Sequence, residues 1–326
     1  MDLSFRNLSS WLLAEALIAL GYVRRARLKY LNGDYILSLY FHNPSKKEFE
    51  ACVKWLIKHK FTFISVKDLE SINNGERPFP KGGVLLTVDD GWASNETNIV
   101  EVIAKYEIPV AIFISTHPVE EGSYWWSYLG FRKSKNNDKR IEFLKKVSNS
   151  ERLAVVDTFK KQFTLSREAM TIEQIHKISK SFLVTIGGHT HSHPILPNCD
   201  YLQLYDELNT SKQKLESWIN KEIAFFAYPN GDYTIREIQV LKDCGYRLAF
   251  SNVPHYISRQ HLQNHFELPR IGLLEGASLA ENICRMVGVW HPTIKNIKAM
   301  FNWDTSIADK TVNYKVKKAD LAVVKK

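Results

Sequence analysis

The sequence predicts an α/β fold in which parallel strands close, or nearly close, into a barrel, and three observations predict it. Short apolar runs, of the kind buried on both faces of a parallel sheet, alternate with segments of helical period. About seven such strand and helix units follow one another, which favours a barrel over an open sheet. The chain has 326 residues, 44% of them hydrophobic, enough for one large domain with appendages.

The elements follow in order. A strand is expected over 35–41, then a helix over 45–59 with Phe49, Cys52, Val53, Leu56 and Ile57 inward. The next pair is a strand at 83–90 and a helix at 93–105, followed by a strand at 110–115. Residues 117–180 are rich in charge and aromatics and do not fit a single crossover, so they read as a helical insertion. Beyond it come strand 183–186, helix 200–220, strand 225–228, helix 234–244 and strand 247–251. The resulting division is a lead-in at 1–34, a barrel at 35–275 and an extension at 276–326 ending in a basic tail.

Lys and Arg number 44 against 35 Asp and Glu, a net charge of +9. The surplus gathers at Arg24, Arg25 and Arg27, at 132–146 and at 310–326. Such a balance suits an anionic glycan or lipid surface, although solvated charge runs are commoner. Neither zinc-finger spacing nor an aromatic-rich single-strand-binding pattern is present, so nucleic acid is not expected. The four cysteines, Cys52, Cys199, Cys244 and Cys284, include no C-x-x-C pair and demand neither a disulfide nor a thiolate cage.

At the amino terminus an apolar stretch from Trp11 to Val23 meets Arg24, Arg25, Arg27 and Lys29. It is too short to span a bilayer, which needs about 20 apolar residues. Glu15 and the basic residues behind it argue against an export signal. Two readings stay open: a helix lying in the boundary of an anionic membrane, or a helix packed on the barrel. The expectation is a cytoplasmic protein, and on the first reading one peripheral to the inner face of the membrane.

Three places could carry chemistry, each just past a predicted strand, where barrel enzymes build their sites. Asp89 and Asp90 are adjacent carboxylates that repel one another and call for a cation or a shared proton, although Asp-Asp-Gly alone is an ordinary turn. His189, His191 and His193 put three imidazoles within five residues, a metal-ligand density. His189 and His193 are spaced to share one side of a helical turn, with His191 the bystander, and Gly187 and Gly188 would let the backbone approach a site closely. The third place, Phe226 to Asp232, taken alone is a Pro-Asn-Gly turn.

In this order the three resemble the motifs of the polysaccharide deacetylase family, also called carbohydrate esterase family four or the NodB-homology domain. Thr87-Val88-Asp89-Asp90-Gly91 is similar to its T-F-D-D-G motif with valine for phenylalanine, and His189 to Pro194 matches H-T-x-S-H-P. The similarity covers 35–274, most of the chain. It implies a distorted (β/α)7 TIM-like barrel and a divalent metal, usually Zn2+, with Co2+, Ni2+ or Mn2+ as alternatives. Carried over, Asp90, His189 and His193 would hold the metal, Asp89 would be the general base, and the Asn230 backbone N–H would serve the oxyanion. The family's arginine beside the catalytic aspartate is missing at Ala224, and Arg270, at the end of a late strand, is the substitute by position. No Leu-x-His occurs, so the proton donor is unassigned, with His265 and His291 candidates by position only.

Tyr124, Trp125 and Trp126 form a flat aromatic cluster, and Trp125, Trp126 and Tyr228 are the expected substrate contacts. The function implied is a metal-dependent hydrolase that removes the N-acetyl group of an amino sugar, on a glycan or lipid-linked precursor of the cell surface. Two rivals are a hydrolase of another non-peptide carbon–nitrogen bond on the same site, and an inactive glycan-binding homologue.

Overall fold

The computed structural model describes residues 5–130 and 135–300. Among them nine strands form one sheet: β1 (Tyr35–Phe41), β2 (Thr62–Ile64), β3 (Gly83–Val88), β4 (Val110–Ile114), β5 (Val184–Gly188), β6 (Phe225–Ala227), β7 (Leu248–Phe250), β8 (Ile257–Ser258) and β9 (Ile271–Gly272). The strand order is β7-β6-β5-β4-β3-β1-β8, parallel throughout except for β8 on β1. One edge of β3 is shared, with β2 pairing at Gly83 to Leu85 and β4 at Thr87 and Val88. The segment after β8 links the two ends of the sheet. Leu268 bridges to Phe250 of β7, and a few residues on β9 pairs with Leu39 and Tyr40 of β1. Parallel strands thus curl into the barrel wall that the strand and helix alternation predicts.

The interior is apolar. Ile36, Leu85, Phe113, Phe225, Ala227, Phe250 and Leu268 form its buried cluster. Outside, helix Lys46–Lys58 starts at a capping box, with Ser45 accepting from the Glu48 N–H and the Glu48 carboxylate accepting from that of Ser45. Its inner face is Phe49, Cys52, Val53 and Leu56, while Ile57, expected inward with them, is exposed. Between β4 and β5 lies the helical insertion, which carries a small core of its own in Trp125, Leu129, Leu144 and Val156.

Several expectations are corrected. The amino-terminal stretch is two helices, Phe5–Ala19 and Tyr22–Asn32, broken at Gly21, whose φ is 79°. The helix expected at 93–105 opens as a π-turn, Glu96–Val100, before Glu101–Tyr106. Strand β2 was not read, because three residues are too short for a period to register. Met1–His291 form one compact unit that includes the lead-in, and a second begins at Pro292. The basic tail at 310–326 and the start of the cluster at 132–146 lie outside the described residues.

Gly187 is required by the wall itself and not by a bound group. A Cβ there would lie 2.5 Å from the Phe113 ring and 2.8 Å from the Phe225 carbonyl oxygen. Gly187→Ala is therefore expected to cost about 1–3 kcal/mol through overpacking, read as a lower urea midpoint. An unchanged midpoint would contradict this packing.

Candidate active site

The barrel mouth is built at the carboxyl ends of β1, β3, β5 and β6. Just beyond β3, Asp89 and Asp90 are both buried, and Asp90 takes a left-handed φ of 75°. That strained turn sends two neighbouring carboxylates to different partners.

Asp89 meets Arg270. The guanidinium is fully buried and donates to both Asp89 oxygens at 2.7 Å, a bidentate fork. Its remaining donors reach Thr87 Oγ1 at 3.0 Å, the Ser251 carbonyl at 3.1 Å and Asn252 Oδ1 at 2.8 Å. The rings of Tyr40, Phe113 and Phe250 surround it at 4.7, 5.7 and 5.8 Å. Burial alone would raise the Asp89 carboxyl; the charges of Arg270 and His189, with the Arg270 hydrogen bonds, outweigh it and hold the group below the usual carboxylate value. Arg270 stands just before β9 and not at a strand end, in the kink between the Leu268 bridge and β9, which turns it into the barrel.

Asp90 meets two imidazoles. Its Oδ1 lies 3.5 Å from His189 Nε2 and 3.4 Å from His193 Nε2, and the three ligand atoms fall within 4.8 Å of one another. Trp92 Nε1 donates to Asp90 Oδ2 at 3.1 Å, leaving Oδ1 toward the histidines. His189 Nδ1 donates to the Ala227 carbonyl at 2.7 Å, which fixes the ring with Nε2 turned to Asp90, as the backbone commonly orients a metal-ligating histidine. Burial lowers the His193 pKa, and its bond to Asp90 only partly offsets this, so the ring is neutral at neutral pH. Two imidazoles and a carboxylate sharing one point are a donor set that fits a divalent ion.

His189 and His193 do not share a helical turn. Thr190 and His193 both take positive φ, 68° and 55°, and Pro194 disfavours a right-handed helical conformation at His193. The bend points His191 away: its Nδ1 pairs with Thr116 Oγ1 at 2.8 Å and its ring packs on His117. The loop is clamped from outside. Glu207 accepts from the Ser192 N–H at 2.7 Å, Arg152 of the insertion donates to Ser192 Oγ at 3.0 Å, and Trp125 Nε1 donates to the His193 carbonyl at 3.1 Å.

Those bonds revise the substrate contacts. Trp125 is buried, with Arg152 over its ring, and holds the metal-site loop instead of facing a sugar. Tyr228 is fully buried, donating to the Phe266 carbonyl and stacked on Tyr233, so it has no face for substrate. Trp126 keeps its place at the mouth, partly exposed, edge-on to His193 at 4.7 Å and stacked on the buried Tyr124. Asn230 lies in the turn after β6 with φ 57°. The following Gly231 packs so tightly on Asn252 that a Cβ would come within 2.6 Å, which ties this turn to the residue that holds Arg270.

Sequence reasoning missed His42. It follows β1 directly, its ring meets Tyr40 edge-on, and the pairing of Phe41 with Val88 sets it beside Asp89. By contrast His265 packs on Phe266, and His291 lies beside Arg285. The only signal for His42 was its position two residues beyond Tyr40, on the inward face of the first strand.

Comparisons with known proteins place the chain in a family. The sequence pattern of the family described as polysaccharide deacetylase matches residues 76–249, more than half of the chain. The chain belongs to the polysaccharide deacetylase family and is a hydrolase of non-peptide carbon–nitrogen bonds. Among its relatives are the putative polysaccharide deacetylase YxkH of Bacillus subtilis, 22% identical over 72% of this chain and 66% of that protein, and the poly-beta-1,6-N-acetyl-D-glucosamine N-deacetylase of Staphylococcus aureus, 24% identical over 80% and 79%. Similar solved folds include the Streptococcus pyogenes deacetylase PplD (TM-score 0.58, 18% identity, 77% of this chain and 98% of that one) and IcaB from Ammonifex degensii (0.56, 21%, 80% and 98%).

Removing the Asp89 counter-charge should be costly. Arg270→Met leaves a buried carboxylate unpaired, and a loss of about 3–5 kcal/mol at neutral pH is expected in chemical denaturation. The wild type keeps this stabilisation above the ordinary carboxyl pKa and loses it as pH falls through the depressed Asp89 value, while the variant is relieved by protonation. The gap between the two should therefore shrink on acidification; a gap that is constant with pH would contradict the pairing.

Proposed function

We propose that the protein is a metal-dependent deacetylase that hydrolyses the N-acetyl group of an amino sugar in a glycan or glycan precursor. The observation that carries this reading is the division of labour between the adjacent aspartates: Asp90 faces two histidines and Asp89 faces an arginine. The substrate class follows the staphylococcal relative, whose name specifies an N-acetylglucosamine polymer and which aligns over most of both chains. Asp90, His189 and His193 would hold the ion, and zinc suits a carboxylate and two imidazoles best. A divalent ion there would supply Lewis acidity and lower the pKa of a water.

The protein's own groups do the rest. Asp89, kept ionised and immobile by Arg270, takes a proton from the attacking water. The Asn230 backbone N–H, in its locked turn, donates to the acyl oxygen as charge develops there. His42, just past the strand that pairs beside the aspartates, returns a proton to the departing amine and fills the role that the missing Leu-x-His leaves open. Trp126 offers a partly exposed ring to a sugar face beside the reacting group. Arg270 supplies beside Asp89 the positive charge absent at Ala224, which favours an active enzyme over an inactive homologue.

Acetate release from N-acetylglucosamine oligomers tests the assignment. Asp89→Asn and His42→Gln should each lower kcat by about 10²–10⁴ while the purified protein keeps its metal content. Asp90→Ala and His193→Ala should lose metal and activity together. Full turnover in Asp89→Asn, or loss of metal in His42→Gln, would contradict these roles.

A further inference from the structure

The helix Phe5–Ala19 is covered on one side only. Ala14 and Leu17 are buried, the Cys284 thiol of helix Leu279–Met286 contacts the Ala14 carbonyl, and Arg6 pairs with the buried Glu281 of that helix at 2.6 Å. The opposite side is apolar and faces water. Phe5 is 87% exposed, Leu12 55% and, just past the helix, Leu20 66%, with Leu8 and Trp11 also exposed. Phe5, Leu8 and Leu12 recur at the three- and four-residue spacing that makes one continuous stripe. The next helix, Tyr22–Asn32, buries Val23 and Tyr30 and exposes Tyr22 and Leu28, with Arg24 and Arg25 exposed one turn before Leu28.

A contiguous apolar face of this kind is uncommon on a surface that stays in water. Apart from the exposed Glu15, which accepts from Trp11 Nε1 at 3.1 Å, its companion charges are positive, and apolar stripe plus neighbouring arginines is the pattern of a helix lying in the boundary of an anionic bilayer. No helix among the described residues is long and apolar enough to cross a membrane.

We infer that the helix pair Phe5–Ala19 and Tyr22–Asn32 is a docking surface for an anionic phospholipid membrane, and that it places the barrel mouth beside the lipid head groups. The placement follows from hydrogen bonds at the amino end of the first helix. Asn7 donates to the Gly276 carbonyl at 3.4 Å, the Gly276 N–H donates to Glu48 at 2.8 Å, and the neighbouring Glu275 accepts the N–H of Asn43. Asn43 follows His42, so Phe5 lies toward the rim of the mouth, whereas the second helix leads into the opposite end of β1 at Tyr35. The apolar stripe therefore runs along the barrel wall, and docking lays the barrel on its side. A glycan carried on a lipid anchor would reach the mouth without leaving the membrane surface.

The docking surface does not depend on the deacetylase reading, because vesicle binding needs no turnover. The test is cosedimentation of the full chain with phosphatidylglycerol-containing vesicles and with pure phosphatidylcholine vesicles, over a salt series. The wild type should bind the anionic vesicles more tightly, and less so as salt rises. Leu8→Ser/Leu12→Ser/Leu20→Ser and Arg24→Glu/Arg25→Glu alter exposed side chains, so thermal melts should match the wild type while vesicle affinity falls about tenfold or more in each. Equal binding to both vesicle types, or vesicle affinity unchanged in the serine variant, would overturn the inference. A solution dimer that the serine substitutions dissolve would assign the face to a second copy of the chain and overturn it equally.

Discussion

Two carboxylates on consecutive residues, both withdrawn from water, cannot remain ionised without compensating charge or hydrogen bonds. Everything around the barrel mouth answers that demand. Arg270 forks onto Asp89 from below, and the imidazoles of His189 and His193 converge on Asp90 from the side. The pair of bonds to Arg270 fixes one carboxylate away from the two imidazoles. The convergence at Asp90 makes a point where a cation replaces repulsion with attraction. The left-handed turn at Asp90 is the local cost of sending the two side chains apart, stabilised by the close packing of the following Gly91 against Ile114.

The rest of the molecule maintains this arrangement. The strand ends set the distances, and the insertion between β4 and β5, which has no counterpart in a minimal strand and helix repeat, reaches over to clamp the histidine loop. Arg152, Trp125 and Glu207 all bond the loop, so the insertion's buried aromatics and the histidine cluster are parts of one packed structure. The lead-in helices belong to the same compact unit and carry the exposed apolar face that the barrel does not cover.

Much of this was legible from the residues. The ion site could be read because the histidines are dense in sequence and the aspartates adjacent, a pattern whose chemistry does not depend on distant contacts. Arg270 could be proposed as the replacement for the arginine missing at Ala224, although its approach through a kink before β9 follows from barrel closure. Side-chain direction in the aromatic cluster could not be read. Trp125 and Trp126 are neighbours in sequence, yet one turns inward to hold a backbone carbonyl and the other stays at the mouth, a difference set by the packing of the insertion. His42 carries no motif of its own; only the pairing of β1 with β3 brings it opposite the aspartates. Gly187 and Gly188 suggested room for a bound group, but they make room for Phe113 and Tyr246.

Anomalous diffraction from crystals grown with zinc, recorded on both sides of the zinc absorption edge, tests the central claim most directly. The account predicts a single strong peak within bonding distance of Asp90 Oδ1, His189 Nε2 and His193 Nε2, with Asp89 still forked to Arg270. A peak that instead includes Asp89 as a ligand, or crystals in which the two histidines turn away from Asp90 with no ion between them, would contradict it.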